Sequence, residues 1–422
     1  MVLEYSSAKR LMNNSPIRIG LLYTGGRDWI GGEHYILNIL YALKEFQATG
    51  CGETAFKVIL CYEDEGLSDH IRKTFSAADD FRLIKTIGSP LRKRDVLIPV
   101  LNMYLPRKLR FLKAKARQFL TDSQGIDFLY PYDFRSVLSE GTHAVGWIAD
   151  FQPRILPHFF GEENLKWRYE YEDRVSDRAT DIVFSSQTCI SDFKKFFPYS
   201  QAKPHLFRFY PFIEPNAWEQ DPTLIQSMYN LPEKFFICCN QFWQHKNHIA
   251  VLESIASLSE ANLDLFVVFT GHTQDNRLAE HFDNICSKIN RLGIRPNIAI
   301  LGLIPKIHQL QLLRRSIGVI QPSLSEGWST VVEDARSLGK PMILSDLPVH
   351  LEQDPPRAVY YDNRSLTSLS KAMQEAWTDW QPGPNCDHEK KARIQSQILI
   401  QNMGERFLQI VTSVTTKRDL VD

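Results

Sequence analysis

Charge of one sign, long apolar runs and paired cysteines are all scarce in this chain of 422 residues. Lys plus Arg equals Asp plus Glu at 49 each, so the bulk charge offers no field for a polyanion and no nucleic-acid partner is expected. No stretch approaches the ~18 consecutive apolar residues that a membrane helix needs. The first sixteen residues are polar and carry no apolar core, so no secretory leader is expected. The seven cysteines are odd in number and scattered, without a C-x-x-C pair, which argues against a disulfide framework. Cys238 and Cys239 lie in an apolar run and read as buried thiols, and a reducing, cytoplasmic location fits that usage. Metal-ligand spacings, internal repeats and low-complexity tracts are also missing, and no metal is expected.

What remains is a chain with 43% apolar residues, long enough for two cores. Both halves alternate short apolar strands with amphipathic helices, which predicts two doubly wound α/β units with parallel sheets. The first strand is Ile17–Tyr23, and Gly31-Gly32 opens a helix whose Tyr35, Ile36, Ile39, Leu40 and Leu43 share one face. Further strands are expected over residues 56–61, 126–130, 144–148 and 181–186, with helices over 166–179 and 192–197. Pro211 and Pro215 break the pattern and mark a linker. The second half restarts at Phe235 and repeats the alternation through 265–269, 298–301, 318–321, 342–345 and 358–361. A last helix, about 392–415, carries Ile394, Ile398, Met403, Phe407 and Ile410 as its apolar side. The domains are therefore placed at residues 1–213, 214–391 and a terminal helix, 392–422.

The richest stretch runs from Ser323 to Asp334. It follows the buried run Gly318–Gln321, crosses a Ser- and Gly-containing loop and enters a short helix. Thr330 and Glu333 have the spacing of a capping box, Gly339 suits the C′ position, and Pro341 forbids continuation. A strand feeding a helix in this way aims backbone amides and a positive dipole end into the crevice above the sheet. Glu326 precedes that helix and Asp334 lies about one turn inside it, so both acids can meet one ligand. A phosphate held by amides beside carboxylates that accept from sugar hydroxyls describes a nucleotide-sugar. A solvated loop with one capping acid is the other reading of the residues alone.

Glu326-Gly327-Trp328, the acid eight positions on, Ala335 and Gly339-Lys340-Pro341 together resemble the E-x7-E region of family 4 retaining glycosyltransferases, of the glycosyl transferases group 1 type, which have the GT-B fold. The resemblance implies that Glu326 touches the donor sugar and that Asp334, standing where the family usually has Glu, binds the ribose. Gly327, Trp328, Ser329 and Thr330 then belong to the donor loop. It also implies that Gly31 and Gly32 lie against the donor phosphate and sugar, and that Lys246 grips the pyrophosphate. Gln241 occupies the position of a second, usually Arg, cation. Gly302-Leu303-Ile304 resembles the turn that frames the nucleobase. Asp150 and Gln152 match a run facing the donor sugar, with Ala149 and Pro153 as departures. The terminal helix is expected to cross back to the first domain.

The implied activity is transfer of a sugar, with retention, from a nucleotide-diphosphate-sugar to a glycan or lipid-linked acceptor. The donor is a substrate, and neither metal nor cofactor is implied. Another GT-B enzyme of sugar nucleotides, an epimerase or phosphorylase, remains an alternative, as does a scaffold that has lost catalysis. Gln241, Ala149 and Asp334 are the departures that favour the last.

One basic segment stands out in this neutral chain. Residues 91–120 hold Arg92, Lys93, Arg94, Arg107, Lys108, Arg110, Lys113, Lys115 and Arg117 against Asp95, interleaved with apolar residues. A solvated helix face is one reading. The other is a surface for an anionic membrane or a lipid-pyrophosphate acceptor, which would make the protein peripheral on the inner face of the membrane.

Overall fold

The computed structural model describes residues 15–24, 30–50, 54–62, 75, 80–85, 125–135, 138, 141–275, 277–278 and 280–416. The basic segment 91–120 lies outside them.

The first domain begins with β1 (Ile17–Leu22), followed by α1 (Ile30–Ala48), β2 (Phe56–Tyr62), β3 (Phe81–Lys85), β4 (Phe128–Tyr130) and β5 (His143–Ala144). These strands form a parallel sheet in the order β3-β2-β1-β4-β5, with Ile19 opposite Val58 on one side and Phe128 on the other. The edge strand β3 was not anticipated from the sequence. Past the buried Val145, the chain enters a second parallel sheet of β6 (Gly146–Trp147), β7 (Asp181–Phe184) and β8 (Lys203–Leu206). Between these strands lie α2 (Gln152–Ile155), α3 (Glu162–Arg178) and α4 (Gln187–Phe196). Ser186 caps α4, its hydroxyl accepting from Cys189 N at 3.0 Å.

The linker changes allegiance within two residues. Phe212 packs with the first-domain core and Ile213 with the second. Two short helices, α5 (Pro215–Glu219) and α6 (Pro222–Met228), then lie on the second domain, held by Gln311 and Arg314 side chains that donate to the Ala217 carbonyl at 2.8 and 2.9 Å.

The second domain contains β9 (Phe236–Cys239), α7 (His248–Glu260), β10 (Val267–Thr270), α8 (His281–Leu292), β11 (Ile298–Gly302), α9 (Lys306–Arg315), β12 (Gly318–Gln321), α10 (Thr330–Ser337), β13 (Met342–Ser345), α11 (Pro348–Gln353), β14 (Ala358–Tyr361) and α12 (Leu366–Asp379). Its six strands are parallel in the order β11-β10-β9-β12-β13-β14. Every residue of β9, β10, β12 and β13 is buried, as expected of strands covered on both faces. Strand order reverses between β9 and β12, and at such a switch point the loops leaving the carboxyl ends splay apart and open a crevice. The loops 240–247 and 322–329 are the two that leave it.

The last helix, α13 (Cys386–Thr415), starts on the second domain and ends on the first. Ser396 meets Ser337 of α10 at 3.2 Å, while Met403, Phe407, Ile410 and Val411 are buried in the first-domain core. Gly404 permits the crossing, since a Cβ there would stand 2.3 Å from the Ala42 carbonyl oxygen of α1. Ile394 and Ile398, placed by the sequence on the apolar side, are 55% and 44% exposed. The helix exchanges one domain for the other along its length, so the buried stripe does not run straight through. Among the described residues no helix is long and apolar enough to cross a membrane.

Candidate active site

Asn240, just past β9, and Gln321, the last residue of β12, exchange side-chain hydrogen bonds of 3.0 and 3.2 Å. This amide pair ties the two strands together at the switch point. Gln321 Nε2 also donates to Glu326 Oε1 at 2.9 Å, Ser323 Oγ donates to the same oxygen at 2.7 Å, and Lys246 Nζ does so at 2.5 Å. All three bonds fall on Oε1, and among the described residues none falls on Oε2. The Lys246 and Glu326 side chains are 14% and 8% exposed. Burial pushes the Glu326 carboxyl up, but the ammonium of Lys246, with the dipoles around it, outweighs burial and holds it below the ordinary value. Glu326 is therefore an ionised acceptor with one oxygen committed and one open.

Lys246 reaches this position from a single 3-10 turn, Gln244–Lys246, which Asn247 ends in the left-handed region at φ 53°. The Leu324 amide donates to the His245 carbonyl at 2.8 Å and joins the two crevice loops.

A second acid–base pair lies one turn into α10, where Lys306, the first residue of α9, donates to Asp334. The pair borders a cavity of about 120 Å³ that His34, Asn38, Thr330 and Glu333 also line, together with the linker. His34 comes from the first turn of α1, two residues past Gly32, so both domains contribute to this cavity. Burial and then the charge of Lys306 push its imidazole down to about 3, which keeps it neutral.

The expected capping box does not form. The N-cap is Ser329, whose hydroxyl is buried with no partner among the described residues, and Thr330 is the first helical residue. Glu333 instead accepts from Gln353 Nε2 at 2.8 Å and forms an ion pair with Arg336 at 2.9 Å. Gln353 also accepts from the Ser329 amide at 3.3 Å, so a distant side chain does what the local one was expected to do. Burial raises the Glu333 carboxyl to about 7 against the pull of Arg336 and Gln353.

The remaining predicted residues divide between the crevice and the domain contact. A Cβ on Gly327 would lie 1.9 Å from the Ala149 carbonyl oxygen and 3.1 Å from Asp150 Cβ, so only glycine lets the Glu326 loop rest on the first domain. Asp150 is thereby brought beside the loop, and its carboxylate accepts from Gln152 N at 2.9 Å where α2 begins. Trp328 turns away into the first-domain core and donates from Nε1 to the Phe209 carbonyl at 3.0 Å. Gly31 and Gly32 lie in the first turn of α1, where amides have no helical acceptor. Gln241 sits in the loop after β9. Gly302 ends β11 at φ +66° and accepts from Gly271 N at 2.8 Å, with Leu303 exposed and Ile304 packed on the second core. Gln321, Ser323, Lys306, His34 and Gln353 were not foreseen. The only local signal was a polar residue closing an apolar strand at Gln321 and a cation directly after Pro305.

Several solved structures share this architecture. A glycosyltransferase from Rickettsia africae superimposes with a TM-score of 0.61 at 12% identity, covering 96% of this chain and 100% of that one. Sucrose-phosphate synthase from Thermosynechococcus elongatus gives 0.60 at 13%, over 94% and 95%. The Anabaena protein HepE in complex with UDP and glucose gives 0.59 at 12%, over 94% and 100%. At these identities the likeness establishes the fold, GT-B. No curated protein matches the chain. Residues 225–394, which contain β9, both crevice loops and the Glu326–Lys246 pair, match the family model for glycosyl transferases group 1.

Proposed function

We propose that the protein transfers a sugar from a nucleotide-diphosphate-sugar to an acceptor hydroxyl, with retention of configuration and without a metal ion. The convergence of three donors on one oxygen of Glu326 carries this reading. It immobilises the carboxylate and presents Oε2 to a ligand as an ionised acceptor, which is what sugar hydroxyls require. The complex of HepE, a structure of the same fold, with UDP and glucose supports the same ligand class.

In this reading Glu326 orients the donor sugar, and Lys246 keeps two further N–H donors for the diphosphate. When the bond from the sugar to the diphosphate oxygen breaks, its electron pair stays on that oxygen, while the acceptor hydroxyl oxygen bonds to the anomeric carbon and passes its proton to the departing diphosphate. Lys246 and the amides at the start of α10 meet the growing charge. Asp334 and the cavity beside it take the ribose, Gly302–Ile304 the base, and the amides around Gly31 and Gly32 the phosphate. Asp150 faces the sugar from the first domain. No covalent nucleophile is assigned.

The acceptor is a glycan or a lipid-linked sugar. Residues 91–120 support the lipid-linked form, since each Lys or Arg near an anionic bilayer contributes about 1 kcal/mol. Such attachment places the enzyme on the cytoplasmic face, and the protein should co-sediment with anionic vesicles and be released by salt. Equal partitioning onto neutral vesicles would contradict that part.

Incubation with UDP-, GDP- and ADP-sugars, with and without acceptor mixtures, tests the reaction itself. Acceptor-dependent release of nucleoside diphosphate is expected. Conversion of the donor sugar without any acceptor would replace transfer with epimerisation.

A further inference from the structure

Helix α11 is six residues long, yet it bears on both the first domain and the Glu326 loop. Val349 packs into the first-domain core cluster. Glu352 crosses the interface, its Oε1 accepting from Gln187 N at 2.8 Å and from Arg208 Nη2 at 2.9 Å. Its Oε2 accepts from Thr188 N at 3.1 Å and from the Thr188 hydroxyl at 3.3 Å. Gln187 and Thr188 are the first residues of α4, so the carboxylate covers the positive end of that helix. The adjacent Gln353 points into its own domain. It accepts from Ser329 N, donates to the Ser329 carbonyl at 3.0 Å and donates to Glu333. His350 Nδ1 meets the Ser345 carbonyl at 2.9 Å, and the Ser345 hydroxyl donates to the Ser323 carbonyl at 2.8 Å. Both ends of the Glu326 loop therefore hang from α11 or its immediate neighbour.

We infer that Glu352 and Gln353 are positioning residues that couple closure of the two domains to the geometry of the Glu326 loop. The helix is too short to bend between two neighbouring residues. A shift that frees Glu352 from α4 moves Gln353 with it and loosens Ser329, three residues past Glu326. Contacts made only when the domains are closed and the loop is set favour both states together, and the coupling works in both directions. Closure thus completes the site, and a ligand on the loop favours closure. The inference rests on the proposed function only for the identity of that ligand.

Hydrogen exchange in the full chain tests the coupling with no ligand present. Glu352→Gln keeps the size and removes the charge. It should speed exchange at least about fivefold both at residues 187–189 and at residues 327–331. Thr188→Val, acting from the other domain, should give the same pattern more weakly. Titration with UDP, GDP and ADP forms the second arm. The nucleotide that binds should lose at least about fivefold in affinity in Glu352→Gln and in Gln353→Ala. The double variant should lose less than the sum of the two single losses, because both substitutions cut one link. Faster exchange confined to 187–189, uniform acceleration across both cores, or fully additive losses would each overturn the inference. Failure of the wild type to bind any of the three nucleotides would count against the proposed function, and the exchange result would still decide the coupling.

Discussion

Lys246, Gln321 and Ser323 all bond to one oxygen of Glu326, so removing the carboxylate leaves three buried donors and an uncompensated ammonium. Glu326→Ala should lower both the melting temperature and the turnover, whereas Glu326→Gln retains an acceptor oxygen and the fold. Either variant should keep less than about a tenth of wild-type turnover, a loss of ~1.4 kcal/mol or more in transition-state stabilisation. Measured turnover near wild type in a folded Glu326→Gln protein would remove Glu326 from the reaction. Lys246→Ala should weaken a nucleoside diphosphate far more than the matching nucleoside if, as proposed, the ammonium addresses the phosphates. Equal losses in calorimetric titrations of the two would contradict phosphate contact. At this scale the sequence was legible where a motif named the residue. Glu326 and Lys246 came from local patterns, but their contact spans eighty positions and shows only in the folded chain. Gln321 and Ser323 were inside the run that drew attention, yet nothing local separates an amide that orients a carboxylate from one that ends a strand.

The start of α10 shows how an element can be placed correctly and capped differently. Gly339 does sit past its end with φ +65°, because a left-handed residue there needs no tertiary help. The capping box failed because Gln353, arriving from another element, satisfies Ser329 and draws Glu333 inward. That burial has a pH signature. With its carboxyl raised to about 7, native Glu333 holds a proton that the unfolded chain releases near 4.5. Its contribution to stability is complete below the unfolded value and is lost as pH rises through about 7. Glu333→Gln should flatten this fall and raise stability at pH 8 relative to pH 4 by on the order of 3 kcal/mol. Denaturant unfolding at the two pH values checks it, and identical slopes for variant and wild type would refute it. The exposed Ile394 and Ile398 make a related point. A helical period says which residues share a face, but not that one partner covers the whole face.

At the scale of the whole molecule, parallel sheets flanked by helices follow from alternating strands and helices, which composition and periodicity make visible, whereas the division of the first domain into sheets of five and three strands does not. The contact between the domains does not follow from any pattern. It depends on Gly327 against Ala149, Trp328 against Phe209 and Glu352 on α4, pairs separated by more than a hundred residues. The Glu326 loop is itself part of that contact, so the proposed site is finished only when both domains are present. The central claim is that this shared crevice holds a nucleotide-diphosphate-sugar between Lys246 and the Glu326 loop. Calorimetric titration of the full chain with UDP, GDP, ADP and their sugar conjugates, repeated on Lys246→Ala, tests it most directly. One base should bind the wild type at a single site and lose at least about tenfold in affinity, ~1.4 kcal/mol, in the variant. Absence of binding by all of them, or binding that Lys246→Ala leaves unchanged, would contradict the account.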